Sequence, residues 1–287
     1  MKIRMTISTY IRWIKNDKQV IVLLLLVCLY MYVISPLKVC CNIMNQPLCF
    51  VEAYMTFIGN GFCIPLILLA FLVTIIDFPD LSGNIAFILH RCGRRSWYNN
   101  QLVFLILAIL SFLVLLFAFS LIFTVSISFA INAWSNVMIN LNNESIEKYR
   151  LLKETYPLAV ADLSILNHFR PYTGIFYNTL LTILMFIFHG QLQICLSIKY
   201  NRGIGCIASI AVLGLGLVTW ASSSKLKWIF PLANSSIGWH YDSLFQETIF
   251  PLHISFIYMI LINITLYIIG QRIILKKQFF LGGNTND

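Results

Sequence analysis

Acidic residues are scarce in this chain: 11 Asp and Glu stand among 287 residues, against 20 Lys and Arg, and charged residues of both signs make up only 11%. With 59% apolar residues and a mean hydropathy of +0.81, that scarcity excludes an ordinary water-soluble domain and equally a disordered chain. Nucleic-acid binding is disfavoured despite the net charge of +9, because Lys and Arg are scattered between long uncharged runs. Catalytic motifs are missing too. There is no Walker A loop, so the chain does not hydrolyse ATP by the P-loop route. No H-E-x-x-H motif, buried Asp pair or Ser-His pair offers intramembrane proteolysis.

What is present is a set of six uncharged apolar runs, at residues 19–35, 57–76, 102–131, 173–198, 204–221 and 249–271. A bilayer core about 30 Å thick needs roughly 20 residues per helix, and runs that are continuously apolar do not alternate as membrane strands would. The expected fold is therefore an all-α membrane protein with six transmembrane helices over 19–287, preceded by a separate segment at 1–18. Sidedness follows from the distribution of Lys and Arg, which collect on the cytoplasmic face. With the N-terminus inside, thirteen of the twenty fall on that face and seven on the other, where seven acids balance them. Both termini are then cytoplasmic, the inner loop is 77–101, and the outer loops are 132–172 and 222–248. A cleavable signal peptide is the competing reading of Val20 to Ile34, but Ser35-Pro36-Leu37-Lys38 lacks a small-x-small cleavage site.

The first 18 residues form a basic amphipathic pattern. Ile3, Ile7, Tyr10, Ile11 and Ile14 share one helical face and Arg4, Ser8, Arg12 and Lys15 the other, which predicts a helix lying in the inner interface with Trp13 near headgroup depth. A merely basic tail is the alternative. The loop from Asp77-Phe78-Pro79-Asp80 to Gln101 carries Leu89, His90, Arg91, Arg94, Arg95 and Trp97 where the chain re-enters the membrane. Topology alone accounts for the arginines; a loop grasped by a cytosolic partner accounts also for the length. On the other side, 222–248 holds Trp228, Pro231, Trp239, His240 and Phe245. Its apolar character predicts two short helices dipping back into the outer leaflet, or else a packed loop. Glu144 to Glu154 is expected as a polar helical cap.

Within the runs the ionisable groups are only His189 and His253, each expected to be a packing histidine and not part of an ion relay. Of eight cysteines, Cys40, Cys41 and Cys49 cluster outside, where a disulfide through Cys49 is one possibility; no metal-ligand spacing accompanies them. Gly205, Gly214 and Gly216 with Ala208, Ser209 and Ala211 give the fifth run a surface for close helix contact.

Taken together, the amphipathic lead-in, six spans, basic loop between spans two and three and semi-buried segment between spans five and six resemble the permease subunit of type-two ABC exporters. The run Ile88-Leu89-His90-Arg91-Cys92-Gly93-Arg94-Arg95-Ser96-Trp97 is similar to the loop of small bacterial permeases for antimicrobial peptides and drugs, and the Glu-Ala-Ala loop of importer permeases is absent. The resemblance implies a multi-pass protein of the bacterial cytoplasmic membrane. Its coupling helix would lie within Leu81 to Trp97 and dock on a separate P-loop ATPase subunit, the lead-in helix would be an elbow, and a second permease subunit would complete the path. No cofactor is implied for this chain, ATP being bound by the partner. The spans are aromatic and uncharged, so the cargo expected is amphipathic: a peptide, drug or lipid. Two rivals remain, a membrane enzyme built around His189, Gln191 and Gln193, and a non-transporting scaffold or sensor.

Overall fold

A computed structural model describes residues 2–81, 85–142, 146–156, 163–242 and 247–278, and for residues 2–4 the backbone alone. In chain order it forms α1 (Lys2–Ile14), α2 (Lys18–Met44), a two-residue strand β1 (Leu48–Cys49), α3 (Glu52–Gly59), α4 (Cys63–Thr74), α5 (Ile85–Cys92), α6 (Arg94–Thr124) and a second short strand β2 (Ser128–Phe129). Three small helices follow, α7 (Asn136–Leu141), α8 (Glu147–Thr155) and α9 (Leu163–His168), and then the long α10 (Pro171–Lys199), α11 (Arg202–Ala221) and α12 (Leu252–Lys276). The two strands pair in parallel, Leu48 opposite Ser128, and are the only sheet among the described residues.

The protein is thus helical and built for a membrane. Helices α2, α6, α10, α11 and α12 are each long and apolar enough to cross one, and α3 with α4 make a sixth candidate broken by an 81° bend. Such helices keep every backbone hydrogen bond inside the segment, which hydrocarbon demands. Side chains of Tyr30, Phe57, Phe71, Phe104 and Phe186 fill the middle of the bundle. Tyr30 spends its hydroxyl on the Leu116 carbonyl at 2.9 Å, so even this buried phenol is paired.

The run at 57–76 is not one straight helix. It begins earlier, at Glu52, and breaks at Asn60-Gly61-Phe62. There the Asn60 side-chain oxygen accepts from the Phe62 and Cys63 amides at 2.9 and 3.3 Å, replacing helical bonds. A Cβ on Gly61 would stand 2.6 Å from the Trp220 ring, so Trp220 of α11 packs directly on this bend. Other boundaries differ by less. Helix α2 continues through Pro36 to Met44, because Leu37, Cys40 and Cys41 still face the core. Helix α6 starts at Arg94 and not near Leu102, which shortens the loop before it, and α12 extends to Lys276. In 222–248 the two short helices are 3-10 turns, Lys225–Ile229 and Ile237–His240, around a buried stretch at 231–238. Phe245 and Glu144 lie outside the described residues.

Hydrogen bonds sort the element ends into two rims. Asp77 after α4 binds Lys18 at the start of α2, Arg94 at the start of α6 donates to Leu275 near the end of α12, and Lys277 donates to Lys199 at the end of α10. These make the N-terminal rim. On the distal rim, β1 after α2 pairs with β2 after α6, and Asn132 accepts from the Tyr172 amide at the start of α10. The bent α3–α4 pair therefore leaves the distal rim at Cys49 and reaches the N-terminal rim at Asp77.

Candidate functional site

The N-terminal rim is organised by a short acidic turn. Asp77 accepts from Lys18 Nζ at 2.7 Å and from Asn16 Nδ2 at 2.9 Å; Asp80 accepts from Arg12 at 2.6 Å and from Arg202 at 3.0 Å. Burial alone would raise Asp77, yet the hydrogen bonds from Lys18 and Asn16 and the charges of Lys18 and Arg202 hold it below the ordinary carboxylate range. Two carboxylates thus join α1, α2, the end of α4 and the start of α11. Phe78, between them, packs on Phe104 of α6 with ring centroids 4.8 Å apart.

Helix α1 lies against α6. Thr6 and Trp13 turn inward, with Tyr10 stacked on Trp13 and hydrogen-bonded to Ser111, and Trp13 edge-on to Phe104. Ile7, Ile11 and Ile14 are exposed on the side away from α6, an apolar stripe of the kind that suits a lipid interface. Trp13 is 5% exposed and packs into the core. The side chain of Ile3 lies outside the described residues.

Helix α5 is two turns long and two-faced. Ile85 and Leu89, four apart, are buried; Phe87, Ile88, His90 and Arg91 are exposed. Gly93 links it to α6 with φ +76°, a left-handed conformation in which a Cβ is strained although nothing lies within 4 Å. Of the residues read from the sequence as one coupling set, the structure divides the roles. Leu89 and Trp97 anchor the segment from inside, and Arg94 caps the last carbonyls of α12. His90, Arg91 and Arg95 face outward. Phe87, 62% exposed, joins them and was not singled out by any sequence motif.

Between α6 and α10, towards the distal rim, runs a groove of about 500 Å³ lined by Leu110, Val114, Phe117, Tyr172, Phe176 and Leu180 among others, with Tyr54 and Thr179 offering hydroxyls. Its apolar walls suit a hydrocarbon or aromatic ligand carrying few polar groups.

Deeper in the distal half, buried polar groups form one connected network. Asn234 donates to the carbonyls of Trp228 and Phe230 at 2.9 and 3.0 Å, and the Ser255 hydroxyl sits 2.6 Å from Asn234 Oδ1 and 2.8 Å from His240 Nε2. Burial pushes His240 down to about 4, so the ring is neutral, donating from Nδ1 to the Ser236 carbonyl at 2.9 Å; its Nε2 and Asn234 Oδ1 are then two acceptors sharing the single Ser255 proton. Asn178 of α10 accepts from the Ile237 amide at 3.0 Å. Nearby, the fully buried Glu52 carboxylate accepts from the amides of Cys49 and Ser135 at 2.9 and 2.6 Å, pinning β1 to the segment before α7.

His189 and Gln193 are also wholly buried, on the α10 face that meets α11 and the end of α4. His253 is exposed at the start of α12. All eight cysteines are free thiols, with Cys49 directed at the Ile131 carbonyl, and no cluster of three metal-ligating side chains occurs among the described residues. Comparison with family models, curated proteins and solved structures returns no match.

Proposed function

We propose that this chain is the membrane-embedded subunit of an ATP-driven ABC exporter, with six crossings, both termini in the cytosol and the N-terminal rim facing inward. The α3–α4 pair running from rim to rim supports counting it as one crossing. The excess of Lys and Arg on the N-terminal rim supports that side as cytoplasmic. The cargo is amphipathic, and the groove beside α6 and α10 is the surface that meets it. A second permease subunit, identical or paralogous, closes the path.

The observation that carries the reading is α5. A two-turn helix held from below by Ile85 and Leu89 and presenting Phe87, Ile88, His90 and Arg91, followed across Gly93 by the exposed Arg95 of α6, is a handle for a cytosolic protein. Apolar and cationic groups on one exposed face are what a partner groove grips, the aromatic filling a pocket and the charges fixing orientation. ATP-driven closure of the partner then moves α5, and α5 moves α6 through Gly93.

The test is co-purification of the tagged chain from its own cells in mild detergent, identifying the partner by mass spectrometry. A P-loop ATPase should be recovered, and Arg91→Glu with Arg95→Glu should lower its recovery roughly tenfold or more. Arg94 is left intact because it caps α12. Equal recovery with the double variant, or no ATPase with the unaltered chain, would overturn the reading.

A further inference from the structure

Three side chains follow one another along a single face of α10 at intervals of four: His189, Gln193 and Ser197, each with no exposed surface. Each carries one buried polar atom without a hydrogen-bond partner, His189 Nε2, Gln193 Oε1 and Ser197 Oγ. The chemistry of the first two is fixed by their other bonds. Ser209 gives its only proton to the His189 carbonyl at 3.1 Å, so the contact between Ser209 Oγ and His189 Nδ1, also 3.1 Å, is donated by the ring, and Nε2 is a bare acceptor. Gln193 uses its amide nitrogen on the Ile75 carbonyl at 3.2 Å, which leaves Oε1 as a bare acceptor too.

Two bare acceptors one helical turn apart call for a ligand that donates twice. Four residues rise about 6 Å along a helix, close to two water hydrogen bonds end to end. The ligand is also small: a Cβ on Gly205 of α11 would lie 2.3 Å from Ser197 Oγ and 2.5 Å from the Gln193 carbonyl, so the helices touch there. We propose that the seam between α10 and α11 is a water-binding site, in which water donates to His189 Nε2 and Gln193 Oε1 and further water at Ser197 connects it to the N-terminal rim beside Lys199 and Arg202. Unpaired acceptors in a dry seam would be held at a penalty that a polar site with two or more partners removes. The inference does not depend on export; it concerns which half of this helix pair is wet.

The experiment is radiolytic hydroxyl labelling of the full chain in lipid nanodiscs, comparing His189 with His240 by mass spectrometry. The two are matched controls: both fully buried, but both ring nitrogens of His240 have protein partners. Water held at Nε2 should make His189 oxidise several-fold faster than His240. Equal rates would overturn the proposal. Ser197→Ala, which removes only an unpaired oxygen, adds a second reading. It should lower the thermal midpoint by cutting the water's connection, whereas a rise would mean the oxygen was dry and would overturn the proposal.

Discussion

The distal and N-terminal halves of the same helices treat buried polar groups in opposite ways. Around the distal rim, Asn234, Ser255, His240 and Glu52 all lie within hydrogen-bond distance of partners, with one Ser255 proton shared between two acceptors, and among the described residues there only Asn178 Nδ2 has no partner. Towards the N-terminal rim, Trp13, Ser96, Asn100, Gln101, His189, Gln191, Gln193 and Ser197 each hold an unpaired buried atom among the described residues, with Asn263 between the halves. The distal bonds also join distant parts of the chain, Asn178 to Ile237 and Ser236 to Gly59, and so lock several helices to one plug. The N-terminal rim is joined instead by half-exposed ion pairs at Asp77 and Asp80, which are weak. One half is tied together by side-chain hydrogen bonds between distant segments; the other holds unpaired polar atoms and exposed ion pairs, the arrangement that the proposed gate would require.

The largest effect expected from this contrast is at Asn234. Asn234→Leu strands two carbonyls, while the Ser255 hydroxyl keeps His240 Nε2 as its acceptor, and should remove about 2–4 kcal/mol. That would appear as a thermal midpoint lower by roughly 10 °C in detergent. Gln191→Leu, at an oxygen already unpaired, should change stability by less than about 1 kcal/mol. Similar losses at the two sites would break the comparison.

Acidification should attack the distal half next. The folded value of His240, about 4, lies below the ordinary imidazole value of 6.5, so the unfolded chain takes up the proton first. Stability is therefore intact above pH 6.5 and lost as pH falls towards 4, by about 3 kcal/mol in total. His240→Gln should flatten that part of the profile of thermal midpoint against pH.

A smaller effect is expected where α10 and α11 touch. Gly205→Ala forces the two backbones apart and should cost about 1–3 kcal/mol by the same melting assay. Gly214→Ala, with open space around it, should be neutral or slightly stabilising. The smallest effect belongs to the rim. Asp80→Asn frees Arg12 and Arg202 and should cost about 1 kcal/mol or less, yet tryptic cleavage after Arg12 should quicken as α1 loosens from the bundle.

Much of this was legible in the sequence, and the rest was not for identifiable reasons. Uncharged apolar runs announced α2, α6, α10, α11 and α12, and the four- and three-residue spacing of Ile7, Ile11 and Ile14 announced α1. Both signals are local. The break at Asn60-Gly61-Phe62 was hidden inside an apolar run, because it depends on one side-chain oxygen and the approach of Trp220. Asp77 and Asp80 looked like ordinary loop acids, since their partners lie 59 to 122 residues away. The residues read as a coupling set were placed in one segment but not on faces. Pattern alone did not separate buried Leu89 and Trp97 from exposed Phe87 and Arg91, or show that Arg94 is committed to α12.

The account rests on α5 facing the cytosol, and accessibility labelling tests that directly. In a Cys92→Ser background, single cysteines at Arg91 and Leu226 would be exposed to a membrane-impermeant maleimide in intact cells and again after permeabilisation. The account predicts that Leu226→Cys reacts at once and Arg91→Cys only after the membrane is opened. Labelling of Arg91→Cys in intact cells, with Leu226→Cys protected, would contradict it.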